Sequence, residues 1–285
     1  MSTREAIMDS AKRRQQMTRV MLYTLLIIGA VLAMLPMVWM VSASLMPSGE
    51  ASTFPPRFFP SSVTFAHYTD LFTRLDLGRN LVNSAFVSLI VTSASLIINS
   101  MAGYAFAKLR FRGRDRLFRA LSTGLVLPVQ VAMLPLFLLL KNLGLINTYW
   151  GVIIPGLSSI FGIFLVRQYA LAIPDEMLDA ARVDGASEFR IFRSIVVPGI
   201  MPILATLSIW MFLATWNDFM WPLIVLSDQS HYTLPVALAN LSGEHVQDTE
   251  LMMAGSVLTV IPVMLVFLFL QRYYIQGVMA GSVKG

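Results

Sequence analysis

The sequence predicts an all-α polytopic membrane protein with six transmembrane helices, and three observations carry that prediction. The 285-residue chain is 56% hydrophobic and only 13% charged, which is too apolar for a soluble globular fold. Largely uncharged runs long enough to cross a bilayer recur near residues 20–45, 80–107, 120–140, 149–171, 199–226 and 252–270. Lys and Arg then divide unevenly between the two sides of that layout, 17 against four. Under the positive-inside rule the richer side is cytoplasmic, so both termini and the loop between the fourth and fifth spans are expected in the cytoplasm of a multi-pass plasma (inner) membrane protein.

Residues 1–19 form a polar, cytoplasmic N-terminus with Lys12, Arg13, Arg14 and Arg19 ahead of the first span. A cleaved signal peptide opens the same way, but this apolar run continues past the roughly 7–15 residues of a signal core, so a retained span is expected. Met46 to Arg79 carries Pro47, Pro55, Pro56 and Pro60 among charges of both signs and reads as an ordered external loop. The second span is dotted with Asn83, Ser84, Ser88, Ser93, Ser95, Asn99 and Ser100, residues that either let helices pack closely or line a polar pathway. Its inner end runs into Lys108, Arg110, Arg112, Arg114, Arg116 and Arg119 against Asp115 alone, the strongest orientation signal in the chain. Pro128 and Pro135 are expected to kink the third span, and Arg167 sits where its stem can snorkel from the fourth. The loop from Ser227 to Glu250 lacks Lys and Arg, and a cytoplasmic tail, 273–285, follows the transmembrane domain of 20–272.

Between the fourth and fifth spans lies a charged island, residues 173–198, which reads as a short amphipathic elbow. Pro174 suits the first helical position, because its missing N–H has no partner there anyway. Asp175, Glu176 and Asp179 crowd the first turns, where the helix dipole favours negative charge. Gly185 stops the helix and Ser187 is placed to cap a second one. Met177, Ala180 and Ala181 fall on neighbouring positions of one face, and their small size admits another protein's surface. From these residues alone, the elbow is either an idle membrane-surface loop or a docking element.

Several chemistries are excluded. The chain has no Cys, and His67, His231 and His245 lie far apart on predicted loops without ligand spacing, so neither thiol chemistry nor a metal site is expected. No phosphate-cradling G-x-x-x-x-G-K-[ST] loop, G-x-S-x-G or H-E-x-x-H motif occurs, so no catalytic residue and no cofactor is assigned to this chain. The cations cluster beside apolar runs rather than along a recognition stripe, which argues against nucleic acid. Asp218 is the one acidic residue inside a predicted span. Helical rise puts it near the outer hydrocarbon boundary, either hydrated between Trp216 and Trp221 of an aromatic belt or touching substrate.

The order Asp179-Ala180-Ala181, Gly185, Ile195, Val197-Pro198 resembles the cytoplasmic "EAA" loop of binding-protein-dependent ABC transporter permeases. That pattern is Glu-Ala-Ala, three residues, Gly, nine residues, Ile, one residue, Leu-Pro; Asp179 keeps the charge of the usual Glu, and Val197 the apolar character of Leu. Phe54-Pro55, Pro60 to Thr64, Leu127-Pro128, Pro135-Leu136, Gly144-Leu145, Asn147-Thr148, Pro155, Trp216-Asn217-Asp218 with Trp221-Pro222-Leu223, and the Gly281 to Gly285 ending resemble the carbohydrate-uptake branch, specifically its six-span subunit of the maltose-transport type. The resemblance implies a second permease subunit, a pair of cytoplasmic ATPase subunits carrying ATP and Mg, an extracytoplasmic solute-binding protein and a carbohydrate substrate. It implies ATPase coupling through Glu176, Asp179, Ala180, Ala181, Asp184, Gly185 and Pro198. The candidate substrate path is Asn83, Ser84, Asn217, Asp218 and Trp221, since aromatic faces and hydrogen-bonding side chains suit sugars. A secondary transporter or channel for a small polar solute, working without ATPases, is the alternative, although the internal repeat of many such proteins is missing.

Overall fold

The structure, a computed structural model, describes residues 3–244 and 248–282. His245 and the last three residues of the Gly281 to Gly285 ending lie outside the described residues. Every regular element among the described residues is helical. The chain divides into two compact units, Met1–Leu71 with His245–Leu258, and Phe72–Glu244 with Thr259–Gly285.

In the first unit, α1 (Thr3–Ala43) is the first span, and its apolar side chains from Val20 to Val38 are exposed, as side chains facing lipid are. Ala43, Met46 and Ala51 bury themselves with Trp39 and Met253 packed against them. The proline-rich loop that follows is pinned from within by Glu50, whose carboxylate accepts from the Ser61 N–H, the Ser61 hydroxyl and Arg57 Nη1, each at 3.0 Å. His67, expected on a loop, instead lies buried in the short helix α2 (Ala66–Thr73), its Nε2 2.9 Å from the Met46 carbonyl. An eight-residue helix is too short to show a period in the sequence. Glu250, read as the end of an outer loop, is fully buried, and its Oε1 accepts from the Ala51 N–H at 2.7 Å.

The second unit is built on α3 (Leu77–Lys108), the second span. Beyond the basic loop come α4 (Arg114–Thr123), α5 (Val129–Asn142), α6 (Tyr149–Gly156) and α7 (Ile160–Leu171). The chain continues through α8 (Asp175–Val183), α9 (Glu188–Ile191), α10 (Val197–Gly199), α11 (Met201–Trp216), α12 (Met220–Val225), α13 (Leu234–Glu244) and α14 (Thr249–Ser282). Helices α7 and α11 pack directly on α3. Close approach of α3 and α7 requires Gly103, because a Cβ there lies 2.5 Å from Val166 Cγ1.

Three of the expected spans are broken. The third is not continuous from 120: α4 and its following turn meet α5 at 105°, with Pro128 at the break, and α5 alone is 14 residues, about 21 Å. The fourth interrupts at Leu157 to Ser159, where Asn99 of α3 supplies the missing partner by accepting from the Ser159 N–H at 3.1 Å. Such irregular backbone is tolerated at membrane depth only where protein groups satisfy it. The fifth breaks between α11 and α12 at Asn217 to Phe219. Trp216 and Trp221 do not form an interfacial belt: both are buried, their indole N–H groups donating to the carbonyls of Thr259 and Gly151 at 3.1 Å. Long helices from elsewhere in the chain cover them, which composition does not reveal.

Candidate functional site

The elbow is assembled from α8, α9 and the turns that join them. Pro174 is the residue before the helix rather than its first, and α8 starts at Asp175. At the other end Gly185 adopts φ +82°, its N–H donating to Arg182 O at 3.0 Å while the Ala186 N–H donates to Ala181 O at 2.9 Å. This pair of bonds closes the helix in a Schellman motif, which requires a left-handed residue and so favours glycine. Ser187 then caps α9, its hydroxyl accepting from the Arg190 N–H at 3.3 Å. A π-helical turn, Phe192–Val196, follows. Its wider bore relieves the clash that the Pro198 ring would make with the carbonyl four residues back. The segment from Glu188 to Gly199 meets α11 at 79°.

Rotation of α8 sorts its residues. Leu178 is buried and Ala181 half-buried against a cluster that includes Tyr104, Val166, Ala170, Ile191 and Ile200. Ala181 therefore faces inward and does not share the outer face expected with Met177 and Ala180. Glu176, Met177, Ala180, Val183 and Asp184 are exposed, and Phe189 of α9 joins them at 65% exposure. Glu176 and Asp184 make no side-chain hydrogen bond or ion pair among the described residues. The outer surface is thus an apolar knob flanked by uncommitted carboxylates.

Two ties bind the elbow to the inner end of α3. Lys108, its side chain only 6% exposed, donates to Ile173 O and Asp175 Oδ1, both at 2.6 Å, and to Leu171 O at 3.4 Å. The ammonium sits where the last carbonyls of α7 carry the negative end of the helix dipole. It also holds the Asp175 carboxyl below its usual range, chiefly through their hydrogen bond. The second tie runs through Arg182, which donates to Asp179 at 2.6 Å and to Glu188 at 2.7 Å, and Glu188 accepts in turn from the Tyr104 hydroxyl at 2.6 Å. Arg182 and then Tyr104 lower the Glu188 carboxyl. Sequence reading missed Lys108, Tyr104, Arg182 and Glu188 as partners of the elbow. Lys108 was indistinguishable from the basic run it opens.

The other candidate set is scattered. Asn83 donates to the carbonyls of Ser230 and Tyr232 at 3.0 Å and accepts from Tyr149 Oη at 2.9 Å, while Ser84 accepts from the Leu234 N–H at 2.7 Å. Both are buried and brace the loop before α13. Asp218 Oδ1 lies 3.4 Å from the Trp221 N–H at the start of α12, and Asn217 is exposed in the break. What these side chains share is support of broken backbone.

Residues 99–279, a stretch that includes the whole elbow, match the family described as binding-protein-dependent transport system inner membrane component. The chain is 39% identical over 259 residues to the arabinooligosaccharides transport system permease protein AraQ of Halalkalibacterium halodurans, covering 90% of this chain and 93% of that one. It is 32% identical to the lactose transport system permease protein LacG of Rhizobium radiobacter, covering 95% and 98%. In structure it is similar to a chain of a bacterial ABC transporter involved in the import of the acidic polysaccharide alginate, with a TM-score of 0.80, 25% identity and coverage of 92% and 98%. The motif, the helical architecture and these likenesses agree: the chain belongs to the family of binding-protein-dependent ABC transporter inner-membrane permeases.

Proposed function

We propose that this permease forms, with a second permease subunit, the membrane path for a carbohydrate handed over by an extracytoplasmic binding protein, and that its elbow receives the stroke of a pair of cytoplasmic ATPase subunits. Both termini and the elbow then face the cytoplasm. ATP and Mg are held, and ATP is hydrolysed, on those partners. Glu176, Ala180 and Asp184 belong to the docking face with Met177, while Asp179, Ala181, Gly185 and Pro198 keep its shape. Asn217 and Asp218 touch substrate, and Asn83, Ser84 and Trp221 stiffen the wall behind them.

The observation that carries this reading is the elbow's construction: an outward apolar and acidic face whose Glu176 and Asp184 have no partner among the described residues, tied to α3 through Lys108 and Glu188. Reversing a two-state population from 1:99 to 99:1 takes about 5.5 kcal/mol of differential binding. One small helix in a groove falls short of that, so the elbow transmits while ATP binding elsewhere drives. The test is purification of the tagged chain from its native membrane. Copurifying ATPase subunits and sugar uptake that requires ATP are expected; uptake driven by a proton or sodium gradient with this chain alone overturns the assignment.

A further inference from the structure

The basic run between α3 and α5 is the largest charged feature that coupling leaves unused. Residues 108–119 hold six cations against Asp115, a net charge of +5 that equals the charge of the whole chain. Lys108 is committed to the elbow, Arg114 to Asp115 and Leu109 O, and Arg119 to Asp115 O. Arg112 and Arg116 are exposed and have no hydrogen bond or ion pair among the described residues; Arg110 is exposed and acts on Asp175 only through space. Arg110, Arg114, Arg116 and Arg119 line one shallow concavity of about 570 Å³ with Phe111, Gly113 and Asp115, whose single carboxylate is engaged by Arg114, while Arg112 lies outside it. Cations crowded in this way repel one another unless an anion shares them.

Position identifies the anion. Lys108 at the end of α3 reaches the carbonyls of Leu171 and Ile173 at the end of α7, so the run begins where two spans end together, at the edge of the bilayer's hydrocarbon. With a bend of 105° between them, α4 lies along the membrane surface when α5 enters it. Phe111 and Leu117 are 42% and 56% exposed beside the arginines. Apolar side chains offered to acyl carbons and guanidinium groups offered to phosphates are the mark of an interfacial lipid site.

We propose that Arg110 and Arg116, which share the concavity and are not committed within it, hold the phosphate of an anionic phospholipid headgroup. The proposal rests on the orientation proposed above, in which this loop faces the cytoplasmic leaflet. The test uses the permease with its partner subunits in nanodiscs of phosphatidylcholine with and without phosphatidylglycerol, with retained lipid counted by native mass spectrometry. Wild type is expected to retain phosphatidylglycerol. Each basic residue near an anionic surface is worth about fivefold, so the double variant Arg110→Gln, Arg116→Gln retains it about twenty-five-fold less. The outer-side control Lys141→Gln behaves as wild type. Equal retention by the double variant overturns the proposal, as does equal retention of phosphatidylcholine and phosphatidylglycerol by wild type. Loss of the ATPase subunits with lipid retention unchanged also overturns it, assigning the patch to a protein partner. Because the chain is free of Cys, labelling of Ala120→Cys from one side reads orientation separately: reaction from outside sinks the orientation, independently of whether the lipid is retained.

Discussion

Replacing Lys108 with Met keeps the apolar stem and deletes the ammonium, so the elbow loses one of its two ties to α3. The Ile173 carbonyl forfeits a charge-assisted hydrogen bond at 2.6 Å, of a kind worth about 1.5–3 kcal/mol, while the 3.4 Å approach to Leu171 adds little. Asp175 is mostly exposed, so water replaces its share. Partial rehydration of the carbonyl brings the net loss to about 2 kcal/mol, or roughly thirtyfold in the opening equilibrium of α8. Amide hydrogen exchange followed by mass spectrometry reads this directly: residues 175–186 exchange about thirtyfold faster in Lys108→Met, and α11 does not change. In the reconstituted transporter the same variant retains ATPase activity but loses uptake per ATP. Unchanged exchange in the elbow refutes the tie, and faster exchange with full uptake per ATP refutes its role in transmission.

Ala180→Arg and Ala181→Asp separate docking from packing. The first, on the exposed face, leaves the thermal stability of the chain unchanged and abolishes capture of ATPase subunits. The second puts a charge against the cluster around Leu178 and lowers the melting temperature of the isolated permease. Gly185→Val forces a β-branched residue to φ +82°, costing on the order of 1–3 kcal/mol, and loosens the Schellman turn, seen as faster exchange of the Ala186 amide. Glu188 is held below its ordinary value of 4.5 by Arg182 and Tyr104, so folding favours its charged form. Its stabilisation is therefore fully present above about pH 4.5 and is lost as pH falls through the lowered value. A fluorophore on the exposed position of Val183→Cys reports this as rising mobility, a fall in anisotropy on acidification, and in Glu188→Gln the part of that fall due to Glu188 is lost.

The elbow was legible because its determinants are local. Gly185 and Ser187 act through bonds to residues within five positions, and a sequence window contains both partners. Its ties were not legible, since Lys108 and Asp175 are 67 positions apart, and Tyr104 and Glu188 are 84. The facing of Ala181 also depends on which turn of α8 meets Ile191 and Ile200, a matter of two helices docking rather than of one helix's composition.

Apolar content, run length and the asymmetry of Lys and Arg were enough to establish a helical membrane protein, and the spacing around Gly185 was enough to identify its family. Those properties follow from transfer free energies and backbone preferences that each segment carries wherever it is placed. The breaks at Pro128, at Ser159 and at Asn217, the burial of Trp216, Trp221 and Glu250, and the anchoring of the elbow by Lys108 belong to the assembled bundle. A backbone group inside a membrane is free to leave its helix only when a neighbour such as Asn99 supplies the lost hydrogen bond, and that neighbour arrives through packing.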